Sequence, residues 1–211
     1  MPKDEAPLEA LKQYIPLYAA GLTLRYLEKY KVHLTITRDR KSVLGDYRHA
    51  TVHQTHRISI NGNLNQYNFL ITLIHELAHL VTFIQFSNRV QPHGPEWKVI
   101  YASLLKDFLS KDIFPDDILF ALRRSLHNLP ASSCSDESLM RILRKYDSGQ
   151  EGLMLVEQVQ EGHLFDAGKG RIFKKGKKLR KRFQCTELQT GKLYLFSAIC
   201  EVKTVFEYPR N

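Results

Sequence analysis

His75-Glu76-Leu77-Ala78-His79 sets two imidazoles four residues apart with a carboxylate between them. On a helix that spacing brings both rings to one face, one turn apart, where they can hold a single tetrahedral metal ion. Glu76 then stands beside the ion rather than on it. Zinc lowers the pKa of a water that it holds to about 7, and a neighbouring carboxylate can take the proton as the water attacks a peptide carbonyl. The chemistry implied is metal-assisted hydrolysis with one catalytic Zn2+ as cofactor and Glu76 as general base. With nine histidines in 211 residues, composition alone produces this pattern on the order of 0.02 times per chain. The competing reading is a long core helix that carries two surface histidines.

A catalytic zinc takes three protein ligands and keeps a fourth position open. His93 lies in Pro92-His93-Gly94-Pro95, where glycine and the flanking prolines impose an irregular backbone that could aim one side chain back at the helix. Glu96 is the alternative ligand, although it also suits the first turn of a following helix, where its charge complements the dipole. His93 is the expected third ligand, with Trp97 packed beside the site. The extended metzincin spacing is absent, since Phe83 stands at its glycine position and Gln85 and Phe86 supply no histidine.

The helix that carries the motif is read from Leu70, Leu73, Ile74, Leu77, Leu80, Val81 and Ile84, which follow a 3.6-residue period and define a buried stripe. His75 and His79 fall beside that stripe, near Thr72 and Thr82, which suggests an amphipathic helix facing a cleft. Before it, residues 8–29 read as helix interrupted near Pro16, and residues 32–37 and 58–61 read as strands. After it, residues 96–109 carry Val99, Ile100, Ala102, Leu104, Leu105 and Phe108 in helical spacing, and residues 115–126 form another helix. Ser135 or Asp136 could cap a short helix through Tyr146. His49, His53 and His56 read as strand or turn positions outside the metal site, while Tyr47 and Arg48 are candidate oxyanion helpers. Residues 1–148 are thus expected to form an α+β domain with helices and a small three-stranded sheet.

From residue 149 the pattern changes to short β runs at 153–159, 164–165, 179–186 and 192–196, with glycine-containing turns. Residues 149–211 form the expected second domain, and it is basic: residues 163–211 hold 12 Lys and Arg against four Asp and Glu, a net of +8 out of +9 for the chain. The densest part is Lys169, Arg171, Lys174, Lys175, Lys177, Lys178, Arg180, Lys181 and Arg182, with Phe173 and Phe183 interleaved. Such residues neutralise phosphates without reading sequence, and an exposed aromatic ring can stack on an unpaired base. The expected partner on charge alone is a nucleic acid. The alternative is a solvated hairpin with its phenylalanines turned into a core. No basic amphipathic helix or long apolar run points to a membrane, and the start of the chain lacks a secretory pattern. Cys134, Cys185 and Cys200 form no Cys-x-x-Cys pair, which suits reduced thiols in the cytoplasm.

The combination of His75-Glu76-Leu77-Ala78-His79 with His93-Gly94-x-x-Trp97-Lys98 resembles the SprT family and its eukaryotic relative, the Spartan protease. Leu44-Gly45-Asp46-Tyr47 resembles that family's Leu-Gly-x-Tyr element, and the similarity spans roughly residues 7–128. The resemblance implies a zincin-like metalloprotease domain with ligands His75, His79 and His93 and catalytic Glu76. It also implies activity on DNA-bound or DNA-crosslinked proteins, which makes DNA with single-stranded character the expected partner; the chain is expected to be a monomer, associated with the nucleoid when bound to DNA. Residues 179–185 resemble part of a family zinc ribbon, but the cysteine pairs are missing, so a metal-free β domain is expected. Two rival functions remain: a transcription-elongation type of binding factor with a non-catalytic zinc site, and a peptidase for small soluble peptides.

Overall fold

The computed structural model describes residues 8–40, 43–126 and 136–205; Cys134 and Ser135 lie outside them. The chain divides into two compact units, Met1–Asp147 and Ser148–Asn211.

The first unit is α+β. Helix α1 (Leu8–Leu11) is short, Pro16 adopts an extended conformation that ends the helical run, and a single 3-10 turn at Leu17–Ala19 leads into α2 (Ala20–Lys29). Strands β1 (His33–Thr37), β2 (Gly45–Arg48) and β3 (Arg57–Asn61) form one sheet in the order β1-β3-β2. β1 runs parallel to β3, with Leu34 opposite Ile58, and β2 runs antiparallel to it, with Tyr47 opposite Ile58. Ile58 and Ile60, two residues apart on the central strand, point the same way and are fully buried.

Against that sheet lies α3 (Gln66–Phe86), with α4 (Pro95–Phe108) packed on it as well. Asn65 starts α3: its side-chain oxygen accepts from the backbone N–H groups of Tyr67 and Asn68, satisfying two donors that the first turn leaves open. The Asn65 amide nitrogen donates to the Leu143 carbonyl and to Asp147 Oδ1, tying this end to the close of α6 (Glu137–Leu143). The helix departs from the one-sided stripe expected for it. Fourteen of its residues are buried, including Thr72, His75, Glu76 and Thr82, because sheet and α4 enclose it from different sides. Ile84, expected in the stripe, is half exposed where the helix leaves the core. Gln66–Arg89 is apolar and long enough to cross a membrane by length and composition, yet 72% of its most apolar window is buried inside the unit.

In α4, Trp97, Ile100, Tyr101, Leu104, Leu105 and Phe108 form the buried face, and Val99, expected inside, falls on the opposite side and is exposed. Helix α5 (Asp116–Ser125) buries Ile118, Leu119, Ala121 and Leu122, and α6 is capped by Asp136, which accepts from Leu139 N.

The second unit is a six-stranded antiparallel sheet of β4 (Leu153–Leu155), β5 (Leu164–Asp166), β6 (Ile172–Leu179), β7 (Arg182–Glu187), β8 (Leu193–Ser197) and β9 (Glu201–Thr204), ordered β4-β9-β5-β6-β7-β8. Two sequence expectations fail here. The run 153–159 is strand for only three residues before a 3-10 turn, and 179–186 is not one strand, since Leu179 pairs with Arg182 across an Arg180-Lys181 turn. Arg180 takes a positive φ of 52° to make it. Strands β6 and β9 go beyond the expected β runs; in β6, lysines at half of the positions mask its alternation. Val156, Val159, Phe165, Phe173, Cys185 and Val202 make a small core, and Cys185 and Cys200 are free thiols.

Candidate metal centre

His75 and His79 emerge one turn apart on α3 with their Nε2 atoms 3.1 Å apart, and His93 Nε2 lies 3.1 Å from the first and 2.9 Å from the second. The three are the group of potential ligands that could hold a metal ion among the described residues. Four-coordinate zinc with Zn–N bonds near 2.0–2.1 Å requires donors about 3.3 Å apart, so this donor set fits with a small expansion.

The turn that delivers His93 is built from its neighbours. Gly94 N donates to Gln91 O at 2.9 Å, Pro92 occupies the second position of the turn, and His93 takes the third with φ of 60°. Proline followed by a positive φ is the pattern of a type II turn, whose third position favours glycine. A histidine there is strained, by about 1–3 kcal/mol. Gly94 is also confined: a Cβ on it would stand 2.9 Å from the Gln91 carbonyl oxygen. Pro95 then opens α4, and Glu96, the alternative ligand, sits in its first turn outside the histidine cluster.

Burial keeps all three imidazoles unprotonated. It pushes His75 down to about 3, with His79 and His93 adding to the effect, and His79 down to about 4 with His93 adding; His93 is lowered as well. Their lone pairs are therefore available at neutral pH. Trp97 backs the cluster, with ring centroids 4.7 Å from both His75 and His93, and stacks on Tyr101 at 4.9 Å. Buried His75 Nδ1 and Trp97 Nε1 have no hydrogen-bond partner among the described residues, so His75 lacks the outer acceptor that metal-binding histidines usually have.

Glu76 is buried against β2. A Cβ placed on Gly45 would meet Glu76 Oε1 at 2.8 Å and Thr72 Cγ2 at 2.7 Å, so only glycine lets the strand backbone lie this close. Burial raises the Glu76 carboxyl to about 8, Asp46 pushes it the same way, and Arg40 and the Tyr47 backbone N–H pull it down. Arg40 is held by Asn61 Oδ1 at 2.8 Å, Ser59 Oγ at 3.0 Å and Ser59 O at 3.2 Å. Arg40, Gly45 and Asp46 are parts of the site that sequence reasoning misses; the Leu-Gly-x-Tyr stretch is the available signal.

A cleft of about 330 Å³ opens beside His79, with Tyr47, His49, Phe83 and Trp97 in its walls. The Tyr47 hydroxyl is 2.8 Å from His56 Nδ1, and its phenol is pushed upward by burial. Of the two candidate oxyanion helpers, Tyr47 reaches the cleft, whereas Arg48 is exposed and pairs with Asp46 at 2.9 Å. His49 reaches it too, its ring tilted against Phe83 at 4.6 Å, and His53 is exposed.

The basic residues of the second unit do not form one uniform surface. Lys169, Lys174, Lys177, Lys178, Arg180, Lys181 and Arg182 are exposed. Lys175, expected on the basic surface, is instead buried: it is 5% exposed, donates to the Val159 carbonyl and, at 3.1 Å, to that of Glu157, and lies 4.1 Å over the Phe183 ring. Arg171 is exposed but committed to Glu187 Oε1 at 2.7 Å and to the faces of Phe173 and Tyr194. Phe173 is buried and Phe183 half-buried beneath Lys175 and Lys178, so neither is the open stacking platform expected of it.

An α+β unit whose central helix presents two histidines and a glutamate, completed by a third histidine from a strained turn, defines a histidine-lined centre able to hold a metal. Residues 12–112 match the SprT-like family. Over that span the chain is similar to this family, which is associated with zinc metallopeptidase-type proteins. No curated protein and no solved structure matches the chain significantly.

Proposed function

We propose that this chain is a zinc-dependent endopeptidase that cuts proteins bound or crosslinked to DNA, recruited by exposed basic residues of its second unit. The observation that carries the peptidase reading is the convergence of three neutral imidazole nitrogens beside a buried glutamate. Zinc at that position would supply Lewis-acid polarisation of an attacking water and of the scissile carbonyl. His75, His79 and His93 would hold it through Nε2. Glu76 would accept the proton, its carboxylate oriented by the Tyr47 N–H and backed by the Gly45 backbone. A cation alongside favours the ionised carboxylate, opposing the upward effect of burial.

Recruitment is supported by charge: eight Lys and Arg residues between 169 and 182 are exposed, and the seven other than Arg171, which pairs with Glu187, suit sequence-independent contact with phosphates. Specificity would then come from location on DNA. The deciding experiment follows self-cleavage and cleavage of a DNA-bound basic protein by the zinc-loaded chain, with and without single-stranded DNA, beside Glu76→Gln. DNA-stimulated cutting that vanishes in Glu76→Gln is expected. Tight DNA binding with no cutting by the intact chain would replace this reading with that of a binding factor.

A further inference from the structure

We propose that the cleft beside His79 is a side-chain pocket that selects a large uncharged residue, aromatic above all, next to the bond that is cut. This rests on the peptidase reading and adds a substrate preference to it. The cleft holds about 330 Å³, at the small end for ligand sites, which suits one ring-bearing side chain rather than a folded segment. Among the described residues, its walls contain no Asp, Glu, Lys or Arg. A charged side chain entering it would lose hydration with no counter-charge to replace it.

The walls are also aromatic. Phe83, in the last turn of α3, lies 4.6 Å from His49 at 37° and 6.5 Å from Tyr47 at 57°, and Trp97 contributes from α4. Tilted rings at these separations offer faces and edges to a further ring. The remaining side is closed by an abrupt exit from the helix. Ser87 ends α3 with φ of 53° and ψ of −138°, a backbone conformation that side-chain-bearing residues rarely adopt, and Asn88, Val90 and Gln91 follow it along the cleft. Strained residues of this kind cluster at ligand clamps. Thr82, also in the wall, has its hydroxyl committed to the Ala78 carbonyl at 2.7 Å, so that part of the lining presents its methyl-bearing side rather than a free donor.

Trp97 is the sole tryptophan of the chain, and its place in the cleft wall makes it a reporter of occupancy that does not depend on turnover. The test titrates zinc-loaded full-length Glu76→Gln protein with hydroxamates of phenylalanine, leucine, lysine and glutamate, following Trp97 fluorescence. Phenylalanine hydroxamate is expected to bind at least about tenfold tighter than the lysine and glutamate compounds, with leucine between. Phe83→Ala should reduce that preference to about twofold, and Val90→Phe, which fills the pocket without removing core atoms, should do the same. Equal affinities, or a phenylalanine preference untouched by both changes, would overturn the pocket. In parallel, the wild-type chain digests an unfolded protein and its cut sites are mapped by mass spectrometry. Cutting without enrichment of aromatic residues beside the cut sinks the pocket and leaves the peptidase reading standing. Hydroxamate discrimination with no cutting supports a selective binding pocket and sinks the peptidase reading instead.

Discussion

Gly45 and Glu76 are so closely apposed that a methyl group on the first would stand 2.8 Å from Oε1 of the second. The strand β2 therefore serves as the back wall of the Glu76 carboxylate, and the absence of a side chain at Gly45 is what allows it. Gly45→Ala should leave the three histidines able to bind zinc while displacing Glu76. Overpacking of this kind costs about 1–3 kcal/mol, so a lower melting temperature, near-stoichiometric zinc and loss of most peptidase activity are expected together. Zinc content by elemental analysis, beside a melting curve and a cleavage assay, separates this from simple unfolding. Full activity in Gly45→Ala would show that the apposition does not matter.

His93 combines two roles that can be pulled apart. Its imidazole completes the cluster, while its backbone occupies a position suited to glycine. His93→Gly should relieve the strain and keep or raise the stability of the metal-free protein by about 1 kcal/mol, yet lower zinc content sharply. His93→Ala should lose zinc without that gain, and Glu96→Ala should keep it. Retention of zinc by both His93 variants, with loss in Glu96→Ala, would transfer the third ligand to Glu96.

Much of the first unit is legible in the sequence because its signals are local. The i, i+4 histidines, the turn before α4 and the β-like run at Arg57–Asn61 each depend on neighbouring residues. The rest depends on residues brought together by the fold. Arg40 and Asp46 act on Glu76 from other elements, and no periodicity around either residue reports that. Burial of both faces of α3 also comes from its central place, which a one-sided stripe does not reveal. In the second unit, Lys175 and its neighbours look equivalent as a charge run. Strand alternation turns Lys174 outward and Lys175 inward, so adjacent lysines have opposite fates.

The metal-free protein should show a stability maximum near pH 6.5 with contributions of opposite sign on either side. His75 and His79 titrate at about 3 and 4 when folded and near 6.5 when unfolded. Below 6.5 the unfolded chain binds more protons, so stability falls as pH falls. Glu76 titrates at about 8 when folded against 4.5 unfolded. From 4.5 to 8 the folded chain holds the extra proton, so this residue's contribution declines as pH rises. Thermal melts of wild type and Glu76→Gln in chelator, from pH 4.5 to 9, check this. The melting difference should move steadily in favour of Glu76→Gln up to about pH 8 and flatten above it. A difference that does not change with pH would mean that Glu76 is not held protonated in the metal-free fold.

Lys174 and Lys175 should respond to the same substitution in opposite ways. Lys175 spans the small core to reach the carbonyls of Glu157 and Val159, and without its ammonium those acceptors lose their partner. An unmet buried polar group costs about 1–3 kcal/mol, so Lys175→Met should destabilise the second unit even though methionine suits an apolar site. Lys174 faces solvent on the same strand, and Lys174→Met should leave the melting temperature within about a degree. If the exposed lysines carry DNA, that variant should instead weaken DNA binding and lower the slope of its salt dependence by about one, as one phosphate is no longer neutralised. Melting curves and salt-dependent DNA titrations on both full-length variants decide it. Equal destabilisation by the two changes would contradict the inward course of Lys175, and equal weakening of DNA affinity at unchanged stability would return it to the binding surface.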